Sequence, residues 1–185
     1  MSAPQRRITF FTDDAADTRF KGPSTGDERT LLTDQLSIQR ATLELKCAGL
    51  TKELGERSAA PSTLSLLGLV RHVTDMERRW FRLCLAGLDE QPLYATPDNA
   101  DNDIDGAAAD PGPETVAAAW AAWRAEVEFA ERFVAEAPHF DIEGHNPWRG
   151  TVSLRWVLIH VIQEYARHNG HADLLRERID GAVGL

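Results

Sequence analysis

"IHVIQEYARHNGHADLL", Ile159 to Leu175, holds three of the chain's six histidines in a segment spaced like a half-buried helix. With His168 set at zero and 100° allowed per residue, Val157, Val161, Tyr165, Ala172, Leu175 and Ile179 fall inside a sector of about 80°. That stripe predicts a long helix from about Ser153 to Ile179 with one face in a core. His168 lies inside the stripe and Glu164 on its margin, with His171 and His160 just beyond. The polar groups therefore line one side of the core face instead of scattering round the helix. Gly170, in the helix interior, costs about 1 kcal/mol relative to Ala. Close approach by another helix or a ligand is the expected reason for it.

Three further helices follow from the same periodicity. Thr25 and Glu28 form a capping box that opens the first. Its stripe is Leu32, Leu36, Leu43, Cys47 and Leu50, and Gly55 with "SAAPS" (58–62) closes it. Ser62 or Thr63 caps the second, whose stripe is Leu66, Leu69, Val73, Met76, Trp80 and Leu83, with Gly87 as its stop. Residues 87–112 carry neither period, and a loop of that length is either functional or disordered. Pro113 starts the third helix, with Val116, Trp120, Trp123, Val127, Ala130 and Val134 on one face. The connection "APHFDIEGHNPWRG" (137–150) leads to the fourth. Apart from a short strand at "RITFF" (7–11), no strand is expected. The pattern predicts an all-α four-helix bundle over residues 28–185, preceded by an arm at 1–27. The first and last connections are short enough for antiparallel packing, and no internal repeat is present.

Composition narrows the function classes. The net charge is -9, arginine outnumbers lysine 17 to 3, and no basic block exists, so no nucleic-acid partner or anionic membrane surface is expected. No apolar run reaches the length of a membrane span. "MSAPQRRITFFTDDAAD" has too short an apolar stretch for a signal peptide, so a cytoplasmic location is expected. Cys47 and Cys84 sit alone in apolar helical contexts, where core packing is the expected role rather than a disulfide or a nucleophile.

The chemistry rests on spacing. Glu164-x3-His168 stacks two metal-ligand side chains one turn apart. His72 sits between Leu69 and Met76 in the second helix's stripe, and an imidazole pointing into a bundle needs hydrogen bonds or a metal. A His, Glu, His set leaves one coordination position open, as catalytic metal sites do. Asp75, one turn from His72, is the candidate to orient it. The plainer alternative is a hydrogen-bonded core histidine, with Glu164 paired to Arg167 or Arg176. A di-iron bundle is excluded, because Leu69 and Tyr165 stand where its Glu-x-x-His motifs need glutamates. No His-Glu-x-x-His helix exists. Asp101, Asp103, Asp105 and Gly106 imitate a calcium loop, but Gly112 occupies the position that needs a bidentate Glu, so a solvated acidic loop is expected.

"EYARHNGHADLLRERIDG" after "TVSLRWVLI", together with "LLGLVRHV", resembles the DinB-like superfamily, and within it the mycothiol-dependent group that includes the maleylpyruvate isomerase N-terminal domain. The resemblance spans residues 28–181 and implies an up-up-down-down bundle, with 87–112 crossing between parallel helices. It implies a divalent metal (zinc, with nickel or iron as alternatives) held by His72, Glu164 and His168, and mycothiol or a similar thiol as cosubstrate. The isomerase's additional C-terminal domain has no counterpart here, so maleylpyruvate isomerisation is not expected. His171 stands where many members have glutamine. It is the candidate catalytic residue, as a base or hydrogen-bond partner beside the metal, with a polar rim role as its alternative. His160 is expected to pack or to support a ligand.

The expected function is metal-dependent transfer of a thiol to a small electrophile, because a coordinated thiol loses its proton. A metal-binding or stress-linked module without turnover is the alternative. Trp148 and Arg149 would either shape the electrophile pocket or pack their own loop. A homodimer through exposed helix faces or the arm is compatible with the sequence.

Overall fold

The computed structural model describes residues 17, 19–49, 58, 62–109 and 112–182. The chain is mostly helical: α1 (Glu28–Lys46), α2 (Leu66–Glu77) continuing as a π-helical stretch (Arg78–Leu85), α3 (Asn102–Asp105) with a 3₁₀ turn (Gly106–Ala109), α4 (Pro113–Glu136), a hairpin of β1 (Glu143–Asn146) and β2 (Gly150–Ser153), and α5 (Leu154–Ile179). No helix among the described residues is long and apolar enough to cross a membrane.

Side-chain pairings fix the directions of the four long helices. Arg155 at the start of α5 meets Glu28 at the start of α1, and Asp173 near the end of α5 meets Lys46 at the end of α1, so these two run parallel. Trp80 pairs with Trp156 while His72 pairs with His168, so α2 opposes α5. Glu44 pairs with Arg124, whereas Arg29 reaches the carbonyls of Val134 and Ala137, so α4 opposes α1. The order is therefore up-down-down-up, which corrects the expected up-up-down-down. The crossover between parallel helices stands, because α2 and α4 point the same way.

The core takes the expected stripes: Leu36, Leu43 and Cys47 from α1; Leu66, Leu69, Val73, Met76 and Trp80 from the second helix; Trp123, Ala130 and Val134 from α4; and Val157, Val161, Tyr165, Ala172 and Leu175 from α5. Burial pushes the Cys47 thiol up to about 12 and also raises that of Cys84, as core cysteines require.

Several local expectations need correction. Asp27, not Thr25, caps α1, its carboxylate accepting from the Thr30 N–H at 2.7 Å. Ser65, not Ser62 or Thr63, caps α2 through the Gly68 N–H. α1 stops at Lys46, ahead of Gly55; Gly55 itself and the expected strand at 7–11 lie outside the described residues. The segments read as plain loops contain α3 and the β1–β2 hairpin, both too short for periodicity to register. Nothing approaches Gly170, so close packing does not explain it. Gly144 is the glycine whose contact matters, since a Cβ there would come within 2.2 Å of the Cys84 carbonyl oxygen. The hairpin presses against the end of the π stretch at that point.

A second, polar layer ties the helices together. Arg40 on α1 makes two 2.8 Å bonds to the Glu77 carboxylate of α2. Tyr165 on α5 donates its hydroxyl to Glu77 at 2.9 Å, and Trp123 on α4 donates its indole N–H to Tyr165 at 2.9 Å. Each long helix supplies one member. Burial opposes the Arg40 charge, but the Glu77 carboxylate more than offsets this and holds its pKa above the ordinary guanidinium value.

Candidate metal centre

α2 and α5 cross with His72 and His168 facing one another, ring centroids 4.6 Å apart. Glu164, one turn before His168 on α5, closes a triangle with them. One donor atom from each of His72, Glu164 and His168 lies within 4.8 Å of the other two, and this is the only such group among the described residues. Glu164 Oε2 approaches His168 Nε2 at 3.5 Å, while its Oε1 faces Arg167 at 3.0 Å. The plainer alternative, an ion pair with Arg167, therefore coexists with a second oxygen aimed into the cluster. Arg176 pairs with Asp180 instead.

The donor set fits a small divalent cation. Four ligands at about 2.0–2.1 Å in a tetrahedron stand roughly 3.3 Å apart, so the cluster needs only a modest contraction. Burial, followed by the neighbouring His72 and His171, lowers the His168 pKa to about 3. Its imidazole is neutral over the working pH range, so the 3.5 Å approach to Glu164 is not an ion pair, and a nitrogen lone pair is available to a metal.

The outer nitrogens are occupied. His72 Nδ1 meets Asp103 Oδ2 at 2.7 Å, which leaves Nε2 for the cluster. Burial opposes the Asp103 charge, yet the His72 hydrogen bond prevails and its pKa lies below the usual value. His168 Nδ1 lies 3.3 Å from His171 Nδ1. The His72–Asp103 pair is the carboxylate–histidine arrangement that fixes the tautomer and the ring plane of a ligating imidazole.

Asp103 is the residue that sequence reasoning missed. It was absorbed into the imitation calcium loop, whereas α3 buries it against α2 to hold His72. Asp75, the expected orienter, does something else: its carboxylate accepts the backbone N–H groups of Leu93, Tyr94 and Ala95. Arg71 stacks over Tyr94 and donates to the Asn102 carbonyl. The crossover is thereby pinned to α2 at both ends of the stretch that delivers Asp103. Asp103→Asn is expected to weaken metal binding by about 10- to 100-fold. Competition with a chromophoric chelator measures this, and an unchanged affinity would remove Asp103 from the site.

The cluster opens into a cavity of 640 Å³. Its wall includes His72 and Glu164, then Met76, Trp80, Leu83, Cys84 and the buried Asn146, and its exposed edge includes Arg79, His145 and Trp148. Met76, Trp80 and Cys84 follow one another at four-residue spacing and share one wall of it. His160 stacks on Trp156 and meets Trp80 edge-on, the packing role expected of it. Burial lowers its pKa. His171 does not line the cavity; its Nδ1 lies beside that of His168 instead. Trp148 is 81% exposed, so the loop is not packed on its own aromatic.

Comparison with known proteins agrees with the resemblance in the sequence. No curated protein matches the chain. A family model described as Mycothiol-S-transferase matches residues 31–181, which includes every residue of the cluster and of the cavity wall named above. The chain belongs to the mycothiol-S-transferase family, a DinB-like family.

Proposed function

We propose that this protein is a divalent-metal-dependent transferase that joins mycothiol to a small electrophile, with His72, Glu164 and His168 as the metal ligands. The observation that carries the reading is the convergence of those three donors, two of which (His72 and Glu164) line a 640 Å³ cavity, in a chain of this family. A bound divalent cation, zinc for preference with these nitrogen and oxygen donors, supplies a Lewis acid that makes a thiol acidic enough to react near neutral pH.

The chain's own residues do the rest. Asp103 holds the proton on His72 Nδ1 and so directs Nε2 into the cluster. His171 occupies His168 Nδ1 and fixes that ring. Met76, Trp80 and Cys84 give the cavity an apolar stretch of wall, beside which an electrostatic contact to the reacting sulfur is stronger than in open water. The DinB-like four-helix bundle supports this reading, since the ligands come from two opposed helices held by the buried Arg40–Glu77–Tyr165–Trp123 layer.

Conjugation of mycothiol to a fluorogenic electrophile tests the proposal, run before chelation, after it, and after reloading with zinc. Turnover is expected to vanish on chelation and return with zinc. Turnover that survives chelation overturns the metal requirement. Metal binding with no thiol consumed overturns the transferase and leaves a metal-binding module.

A further inference from the structure

We propose that Trp148 is the platform on which the sugar portion of the thiol substrate stacks, making the Pro147–Arg149 loop the element that selects mycothiol over thiols without a sugar. This rests on the thiol-transferase reading. Mycothiol carries its cysteine on a polyhydroxylated two-ring unit, glucosamine joined to inositol, so its recognition has a thiol end and a carbohydrate end.

The cavity is divided in the same way. Its more buried lining joins the apolar side chains of Met76, Trp80 and Cys84 to His72, Asp75, Asp103 and Glu164, whose polar groups already have partners within the protein. Its outer edge combines one large aromatic, Trp148, with the polar side chains of Arg79 and His145, all three exposed. Hydroxyl groups lose water at a cost unless new hydrogen bonds replace it. A polyhydroxylated ring is therefore better placed at the edge than against that lining. The C–H face of such a ring is weakly positive and apolar, and an indole face is its complement in both respects.

Trp148 is also held for display. Asn146 is buried, and its side-chain oxygen accepts the backbone N–H groups of both Trp148 and Arg149, at 3.0 and 2.9 Å. Gly150 takes φ 82°, which closes the hairpin opposite Asn146. Pro147 restricts the entry to the turn. Arg149 folds back over Trp156 at 4.9 Å and lies 5.9 Å from the Trp148 ring. The loop is thus fixed by its own hydrogen bonds and by α5, while the indole stays 81% exposed. An ordered backbone that presents a large aromatic to solvent at a cavity edge has already met the ordering cost of binding.

The test uses the zinc-loaded protein and three probes: mycothiol, its glucosaminyl-inositol portion without the cysteine, and N-acetylcysteine. Trp148→Ala is expected to raise KM for mycothiol roughly tenfold, the size of a modest aromatic contact, and to leave KM for N-acetylcysteine and for the electrophile unchanged. Trp148→Phe is expected to retain most of the affinity. Trp148 is the most exposed of the five tryptophans. Glucosaminyl-inositol should therefore shift the protein's emission to the blue, and the shift should be absent in Trp148→Phe. An equal rise in KM for both thiols, or a rise confined to the electrophile, overturns the platform and leaves the transferase standing. An emission shift through Trp148 without turnover of either thiol supports the platform and sinks the transferase. No emission change together with an unaltered mycothiol KM overturns the platform outright.

Discussion

Glu77→Ala is expected to lower the unfolding free energy by about 3–5 kcal/mol, because it removes the buried counter-charge of Arg40 and leaves that guanidinium only the exposed Glu131 carboxylate at 3.5 Å. Arg40 and Glu77 are only 6% and 1% exposed, so water does not replace the lost partner. The same change removes the acceptor of the Tyr165 hydroxyl, which then has only the Trp123 N–H beside it. With a urea m-value of about 2 kcal/mol/M, the midpoint should fall by roughly 2 M, read by circular dichroism. The double variant Arg40→Met with Glu77→Met removes both charges and is expected to stay close to the parent, as hydrophobic replacements of buried ion pairs often do. A single variant that loses less than about 1 kcal/mol would mean that the pair is solvated, against the geometry described.

The second large effect falls on the metal. Glu164→Ala and His168→Ala are each expected to weaken zinc binding by about 100- to 1,000-fold, since a zinc site worth about 10–16 kcal/mol distributes roughly 3 kcal/mol to each ligand. Competition with a chromophoric chelator measures the affinity, and circular dichroism of the zinc-free protein checks that the helices remain. Glu164→Ala also frees Arg167, but that arginine is largely exposed and its ion pair contributes little. Arg167→Ala is therefore the matched control, expected to change the affinity by less than about threefold. If Glu164→Ala and Arg167→Ala behaved alike, the carboxylate would be serving its surface neighbour and not a metal.

Some parts of this molecule were legible in the sequence because they repeat and others were not because they occur once. The stripe from Val157 to Leu175 recurs every three or four residues, so α5 and its buried face follow from spacing, with Ser153 as its cap. The same spacing isolates His72, Glu164 and His168, because a polar residue on an apolar stripe is conspicuous. Asp103 is not, since it stands among other acids in a segment without period, and only folding of the crossover brings it to His72. Glu77 and Glu126 were equally hidden. Each reads as an ordinary surface glutamate, yet each is buried by arginines from elsewhere: Arg40 in one case, Arg78 and Arg82 in the other. A hairpin with four-residue strands leaves no periodic trace, and helix directions depend on which faces meet, which no single helix records.

The π stretch from Arg78 to Leu85 has a consequence at the level of the gene. A helix that widens for eight residues holds about one residue more than an α helix of the same length needs. In coding terms it is a tolerated extra codon. Losing one codon inside it would restore the ordinary winding and leave the helix beyond it nearly in phase, because the wide turn is what absorbs the extra residue. The change would be confined to the stretch itself, where the side chains set on the wide turn, Trp80 and Cys84 at the cavity wall among them, would be redistributed. The shape of this cavity can thus be altered by the number of codons in one short segment, independently of which amino acids they specify.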